Sequence, residues 1–408
     1  MRKCAGIFIF ALLVRLVFIT VWYETGNGDR ISADSTGYLP IGQSIVEWKG
    51  FQFEGKPFTR RAPLYCLFVG ILSKLTPFPL GIYIAQALIG AFSCVLLYVM
   101  GRKMFDEISG FFAACFFSVD YATLRFTVEV MPENIFVLWL LLGFYYFISF
   151  TKSAGKTDLV LSSLFMGLAA LTKDGIVYFV PVMALGFLAG RRPFKIGVLT
   201  AVSFLMLFVL TIGPWALRNT LLIGHFSLVT TSGGHVFYLG NNPTTVGNPT
   251  GGEWRYEYDY NYPQDDPNLP PLYTWEADRY LSQSALEFIR GNPGRFFQLM
   301  KVKIVNMWRP YQSDSPKLAK WAMALTYIPV MFLGLAGLIR NIGRWKEFLP
   351  VYGLICYFFL IHIVLFGQIR FRYPVMPFFM LFAASGITAI KKNPGCARVQ
   401  SDFPGRTQ

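Results

Sequence analysis

Charge is what this chain has least of. Only 15% of its 408 residues are Asp, Glu, Lys or Arg, while 54% belong to the hydrophobic set. Soluble domains carry about 25% charged residues, so a water-soluble globule is excluded: it would have too little polar surface to cover itself. Histidine is almost absent, with only His225, His235 and His362, which share no ligand spacing. The six cysteines, Cys4, Cys66, Cys94, Cys115, Cys356 and Cys396, form no CxxC and none falls between Arg218 and Lys317. Neither a disulfide framework nor a zinc site is indicated. There is also no Walker loop, no dinucleotide fingerprint and no GxSxG, which argues against nucleotide-driven transport by this chain alone.

Long apolar runs take the place of charge. Gly6 to Tyr23, Gly81 to Met100, Pro132 to Phe150 and Phe348 to Phe366 approach the roughly 20 residues that cross a bilayer core. Apolar length and flanking charge predict spanning helices near 5–23, 81–101, 108–121, 131–150, 159–172, 176–190, 196–215, 320–340, 348–366 and 373–390. The formal charge of +14 would suit nucleic acid if it were clustered, but it is not. Arg2/Lys3, Arg102/Lys103, Lys152/Lys156, Arg191/Arg192/Lys195, Arg340/Arg344/Lys346 and Lys391/Lys392 sit in connections at every second crossing, as the positive-inside rule requires. The partner is a lipid bilayer and no nucleic acid, and ten crossings put both termini in the cytoplasm. The first apolar stretch has a basic start but no small-residue cleavage pattern, and it reads as an uncleaved helix.

That count decides the status of Pro63 to Leu75, which is apolar but short and contains Lys74. As a crossing it would invert half of the basic connections, so it is expected as an interfacial or re-entrant helix. The first outer loop, about 24–80, then holds an amphipathic helix near Ser35 to Trp48 and this segment. A second outer region, 218–317, is too long for a bare connector. It is expected to form a small subdomain with helices near Trp275 to Arg290 and Pro293 to Trp308. The organisation read is a membrane module at 1–217, an outer subdomain at 218–317, further membrane helices at 318–390 and a cytoplasmic tail at 391–408. No repeat of helix pattern supports an inverted-repeat transporter.

Ionisable residues near the outer ends of the spans carry the chemical candidates. Asp34 reads either as the N-cap of the helix after it or as a base at the water–lipid boundary, and the two are compatible. Arg60 and Arg61 suit lipid headgroups or a phosphate, which the guanidinium fork grips in two places. Arg370 and Arg372 lie in a very short outer connection, against the positive-inside trend. Glu129 and Glu133 flank Pro132, where a negative charge also favours a helix N-terminus. Lys173 and Asp174 read as a solvated pair. Arg218 ends a span on the outer side, and Arg15 lies inside the first span with no partner apparent in sequence.

The order of these features resembles a known family. Asp34 and Tyr38 follow the first helix, then come Arg-Arg-x-Pro-Leu-Tyr at Arg60 to Tyr65, Glu133 at an outer helix start and Gly-Leu-Ala-Ala-Leu-Thr-Lys at Gly167 to Lys173. Pro-Trp-x-x-Arg-Asn at Pro214 to Asn219 and Arg-Phe-Arg-Tyr-Pro-x-x-Pro at Arg370 to Pro377 complete the series. The chain is similar in this to GT-C glycosyltransferases of the protein O-mannosyltransferase and aminoarabinose transferase type. The resemblance implies an all-α, GT-C-like bundle of about ten or more membrane helices that takes a sugar from a polyprenyl-phosphate donor to an unknown acceptor. It implies Asp34 as the catalytic acid of the first loop. Tyr38, Arg60, Arg61, Glu133, Arg218, Arg370, Arg372 and Tyr373 are then expected to bind substrate. Ser35 stands where many relatives carry a second acid, so a divalent metal stays open as a cofactor but is not indicated by these residues.

The chemistry agrees with the residues on offer. Glycoside hydrolysis needs two carboxyl groups, whereas a lipid phosphate is already a good leaving group, so one base and several cations suffice for an inverting transfer. Two other readings use the same residues, a transporter or flippase of a lipid-linked sugar and a non-catalytic envelope-assembly partner. The absence from the outer loops of Asn-x-Ser/Thr sites in which x is not Pro points to a bacterial inner membrane, with the site facing the periplasm or exterior.

Overall fold

The computed structural model describes residues 2–28, 35, 37–189, 193–243, 269–271, 274–312 and 315–392. Asp34 and the acidic, aromatic stretch from Glu253 to Asp266 lie outside the described residues.

The chain starts with α1 (Arg2–Glu24), followed in the first loop by α2 (Tyr38–Val46), the strands β1 (Gln52–Phe53) and β2 (Lys56–Pro57), and α3 (Pro63–Leu75). Next come α4 (Leu80–Met104), α5 (Glu107–Val119), α6 (Tyr121–Thr127), α7 (Glu133–Ser153), α8 (Lys156–Thr172), α9 (Val180–Leu185) and α10 (Phe194–Ile223). The region expected as the second outer loop, 218–317, contributes α11 (Gly233–Gly240), α12 (Trp275–Gly291) and α13 (Pro293–Trp308). Then α14 (Lys317–Arg340) and α15 (Trp345–Val364) lead through a 3-10 turn, Ile369–Val375, into α16 (Met376–Lys392).

Among the described residues, six helical segments are long and apolar enough to cross a membrane: α1, α4, α7, α10, α14 and Ile342–Val364, which contains α15. The other four expected crossings are helical but shorter. The α5 helix has 13 residues and stops at Asp120, whose carboxylate accepts from the Thr123 amide at 2.9 Å and so starts α6. An N-cap of this kind ends one helix and begins another. The segment near 176–190 opens as a 3-10 turn, Asp174–Phe179, before α9. The α8 and α16 helices have 17 residues each. In α16, every residue from Phe378 to Ala384 is buried, with no polar stripe. A helix that is apolar all round is a central one, and α14 and α5 pack against it.

The Pro63–Leu75 segment of the first loop is helical. It is α3, and it crosses α2 at two facing glycines. A Cβ on Gly42 would stand 2.5 Å from the Cys66 carbonyl oxygen, and one on Gly70 would stand 2.2 Å from that of Gly42. Between the two helices lies a small hairpin that the sequence reading did not foresee. Glu54 (φ 52°) and Gly55 (φ 75°) make a two-residue turn of the kind that favours positive φ at both positions. The signal was there in Phe51-Gln-Phe-Glu-Gly-Lys-Pro-Phe58, with apolar residues flanking Glu-Gly.

The glycine crossing sets the position of the first loop, and overpacking such a contact costs about 1–3 kcal/mol. Gly70→Val is expected to lower the melting temperature in detergent by several degrees and to speed protease cleavage between α2 and α3. Gly213→Ala, with nothing within 4 Å of its added Cβ, is expected to leave both measurements unchanged.

Candidate functional site

The site is organised by the 3-10 turn Ile369–Val375. Arg372 is 5% exposed. Its Nη1 donates to the Met307 carbonyl at 3.0 Å and to that of Arg309, and its guanidinium lies 3.7 Å from the centre of the Tyr327 ring. These carbonyls end α13, where the helix has no internal donors left and its dipole favours a cation. The Tyr327 hydroxyl donates to the Trp308 carbonyl at 3.1 Å, so the C-terminus of α13 is held against the turn from two sides. Tyr373 is buried, donates to Asn134 Oδ1 at 2.8 Å and packs on Phe126 with ring centres 4.6 Å apart.

In front of this turn lies a cavity of about 300 Å³, bounded by α6, the end of α13, α14 and the turn. Four arginines line it, Arg125, Arg309, Arg370 and Arg372, against two acids, Asp120 and Glu129. Arg125 pairs with Glu129 at 2.8 Å and stacks over Trp22 at 4.2 Å. Its Nη1 is buried with no hydrogen bond, as is Asn306 Nδ2 on the opposite wall. A water-accessible recess with excess guanidinium and unused N–H donors suits an oxyanion.

A second cluster adjoins the cavity through Arg370 and Phe371. Glu133, the first residue of α7, is 1% exposed and forms an ion pair with Lys173 at 2.9 Å. Its Oε2 is buried with no hydrogen bond. Lys173 therefore is not half of a solvated pair with Asp174. Gly167 explains its place: a Cβ there would stand 2.4 Å from Thr211 Cγ2, so α8 lies tight against α10 and ends with Lys173 5.5 Å from the centre of the Phe371 ring. Asp174 instead accepts from the Thr230 hydroxyl. Tyr38 lies beneath Arg61, 4.0 Å from ring centre to guanidinium carbon. Burial pushes the Tyr38 hydroxyl well above its ordinary pKa; Arg61 and Arg370 oppose the shift and Glu133 adds to it.

The structure thus brings together Tyr38, Arg61, Glu133, Arg370, Arg372 and Tyr373, and adds Lys173, Arg125, Arg309 and Asn306, which sequence reasoning did not place in the site. It sends two others elsewhere. Arg60 acts electrostatically on His235 and Asp278. Asp278 accepts from the Gly234 and His235 amides at 2.9 and 2.8 Å, while burial, assisted by Arg60, lowers His235 to about 4. Arg218 donates to the carbonyls of Phe58 and Phe51 at 2.9 and 3.0 Å and to Asn219 Oδ1 at 2.6 Å, tying the first loop to α10. Arg15 is fully buried and donates to the carbonyls of Ala11 and Phe117; Gly90 makes room for it, since a Cβ there would stand 2.4 Å from its Nε. Among the described residues no three His, Cys, Asp or Glu stand together as metal ligands.

Residues 60–215 match the family described as dolichyl-phosphate-mannose-protein mannosyltransferase. The fold is similar to the oligosaccharyltransferase of Archaeoglobus fulgidus, solved in the apo form, at a TM-score of 0.59 and 13% identity over 96% of this chain and 51% of that one. The chain has the GT-C fold. The oligosaccharyltransferase AglB from Archaeoglobus fulgidus, in complex with an inhibitory peptide and a dolichol-phosphate, matches at a TM-score of 0.59 and 14% identity, over 100% of this chain and 52% of that one. The form tethered to an acceptor peptide with the NVT sequon matches at 0.57 and 12% over 96% of this chain and 50% of that one. The chain spans about half the length of these solved relatives. No curated protein sequence matches it.

Behind the arginine turn of this GT-C fold, Lys303 of α13 is buried and donates to Asn241 Oδ1 and the Val364 carbonyl, both at 2.9 Å. It joins the ends of α11 and α15. Gly367 lies against its backbone, where a Cβ would stand 2.5 Å from the Lys303 carbonyl oxygen. Burial lowers the Lys303 ammonium to about 7 from 10.5, and two acceptors match the two N–H bonds of a neutral amine. Between pH 7 and 10.5 the unfolded chain holds a proton that the folded chain does not, so stability rises with pH over that window and is least below 7. Hydrogen exchange of the α13 amides, corrected for intrinsic rates, is expected to show more protection at pH 9 than at pH 6. Lys303→Met is expected to abolish that difference.

Proposed function

We propose that this chain is a membrane glycosyltransferase that moves a sugar from a polyprenyl-phosphate donor to a cell-envelope acceptor on the outer face of the membrane, with inversion. The observation that carries the reading is the arginine-lined cavity opening beside the cluster of Glu133, Lys173, Tyr38 and Arg61, with Arg370 common to both. The family match over residues 60–215 supports a phosphate-linked donor, and the dolichol-phosphate complex of a protein with this fold supports a lipid carrier.

In this reading Arg370, Arg125 and Arg309 face the phosphate, whose charge grows as the bond from the anomeric carbon to the phosphate oxygen breaks. Preplaced cations stabilise such a charge most where water is scarce. Arg372 is occupied by the end of α13 and by Tyr327, so it aims Arg370 rather than gripping phosphate itself. The sugar extends toward Glu133 and Tyr38. The acceptor, a hydroxyl or amine of a lipid, glycan or protein, attacks the anomeric carbon from the opposite side and gives its proton to Asp34, which precedes Tyr38 by four residues. Residues 1–217 and 318–390 form the membrane module of a bacterial inner-membrane enzyme, and 218–317 its outer cover.

Purified protein incubated with radiolabelled polyprenyl-phosphate sugar and candidate acceptors is expected to release free polyprenyl phosphate. A correctly placed base contributes about 10²–10⁴-fold, so Asp34→Asn is expected to lose that much turnover while still binding donor. Full turnover by a folded Asp34→Asn protein would remove Asp34 from the mechanism. Vesicle-to-vesicle movement of the intact donor without cleavage would favour the transporter reading instead.

A further inference from the structure

We infer that Asn306, on the last turn of the outer helix α13, is a donor-binding residue whose side-chain amide donates to a phosphoryl oxygen of the carrier. The inference rests on the reading that the arginine cavity holds the carrier phosphate. It assigns part of the donor site to the second outer region, which the sequence offered only as a small subdomain.

Asn306 is 7% exposed and lines the cavity, and its Nδ2 is buried with no hydrogen bond. Leaving a buried donor unmade costs about 1–3 kcal/mol, and the side chain cannot escape by swinging its helix away. Arg372 and Tyr327 hold the carbonyls of Met307, Trp308 and Arg309 just beyond it, and Lys303, one turn earlier, is fixed to Asn241 and Val364. The amide is therefore held in the cavity wall. Arg125 Nη1, from α6 on another wall, is likewise buried without an acceptor. Two such donors on one recess, with arginines outnumbering acids four to two, call for a compact ligand that accepts from several directions. The phosphodiester of the donor, with two non-ester oxygens, is such a ligand, and the polyprenyl monophosphate released from it, with three, is another.

The test uses the full chain in phosphatidylcholine nanodiscs with polyprenyl monophosphate as probe, reading its Kd together with donor KM, acceptor KM and melting temperature. Asn306→Ala is expected to weaken probe binding about tenfold, the loss of a hydrogen bond to a charged group. It should raise donor KM in step while leaving acceptor KM and the ligand-free melting temperature unchanged. Asn306→Asp is expected to weaken binding further, because a carboxylate then faces the phosphate. Arg370→Gln separates the two levels of the argument. If it leaves the Kd unchanged, the cavity is not the phosphate site and the reading beneath the inference fails. If it weakens binding while Asn306→Ala and Asn306→Asp do not, Asn306 is overturned alone. A lowered melting temperature with unaltered Kd would make Asn306 structural and also overturn the inference.

Discussion

The end of the bundle that carries the candidate site depends on one guanidinium. Arg372 holds the end of α13 by two carbonyls and lies on Tyr327, so a single buried cation joins the outer helix, α14 and the turn that leads into the central helix α16. The interaction suits its place because the last turn of a helix leaves carbonyls without donors and gathers negative potential. A buried arginine needs the same things in reverse. The neighbouring Arg370 is thereby placed on the border of the cavity, and two arginines separated by one residue take different tasks.

The same economy of charge runs through the bundle. Apolar solvent offers no partners, so ionisable groups deep in the protein find them locally: Arg15 in backbone carbonyls, Glu133 in Lys173, Lys303 in Asn241 and the Val364 carbonyl. Two of the residues with an unused buried donor, Arg125 and Asn306, line the cavity. This is the physical distinction between Arg218, whose donors go to the first loop, and Arg125.

How much of the site was legible varies residue by residue. Tyr38, Arg61, Glu133, Arg370 and Tyr373 stand close in space, and each was marked beforehand by an ionisable or phenolic group at the outer end of an apolar run. Lys173 was visible but misread, because its partner Glu133 is forty residues away and nothing local shows that α8 ends facing α7. Asn306 and Arg309 left no mark, since an amide and an arginine in a polar, amphipathic helix look like solvated residues until a neighbouring cavity is seen. Arg60 and Arg61 are adjacent in sequence, yet their side chains serve the outer helices and the Tyr38 cluster respectively.

By itself the sequence determined that the chain lives in a bilayer, where its helices lie, that α3 is too short for a comfortable crossing and that polar chemistry gathers at one end. Those properties follow from apolar length and charge position, which act locally. Only the tertiary structure decided how long each apolar helix runs and that Phe378 to Ala384 is buried in the bundle, because a wholly apolar segment is compatible with lipid or with protein on every side. It also decided which arginines are consumed by carbonyls and which line a cavity. That outcome depends on where the ends of distant helices meet, and no spacing along the chain encodes it.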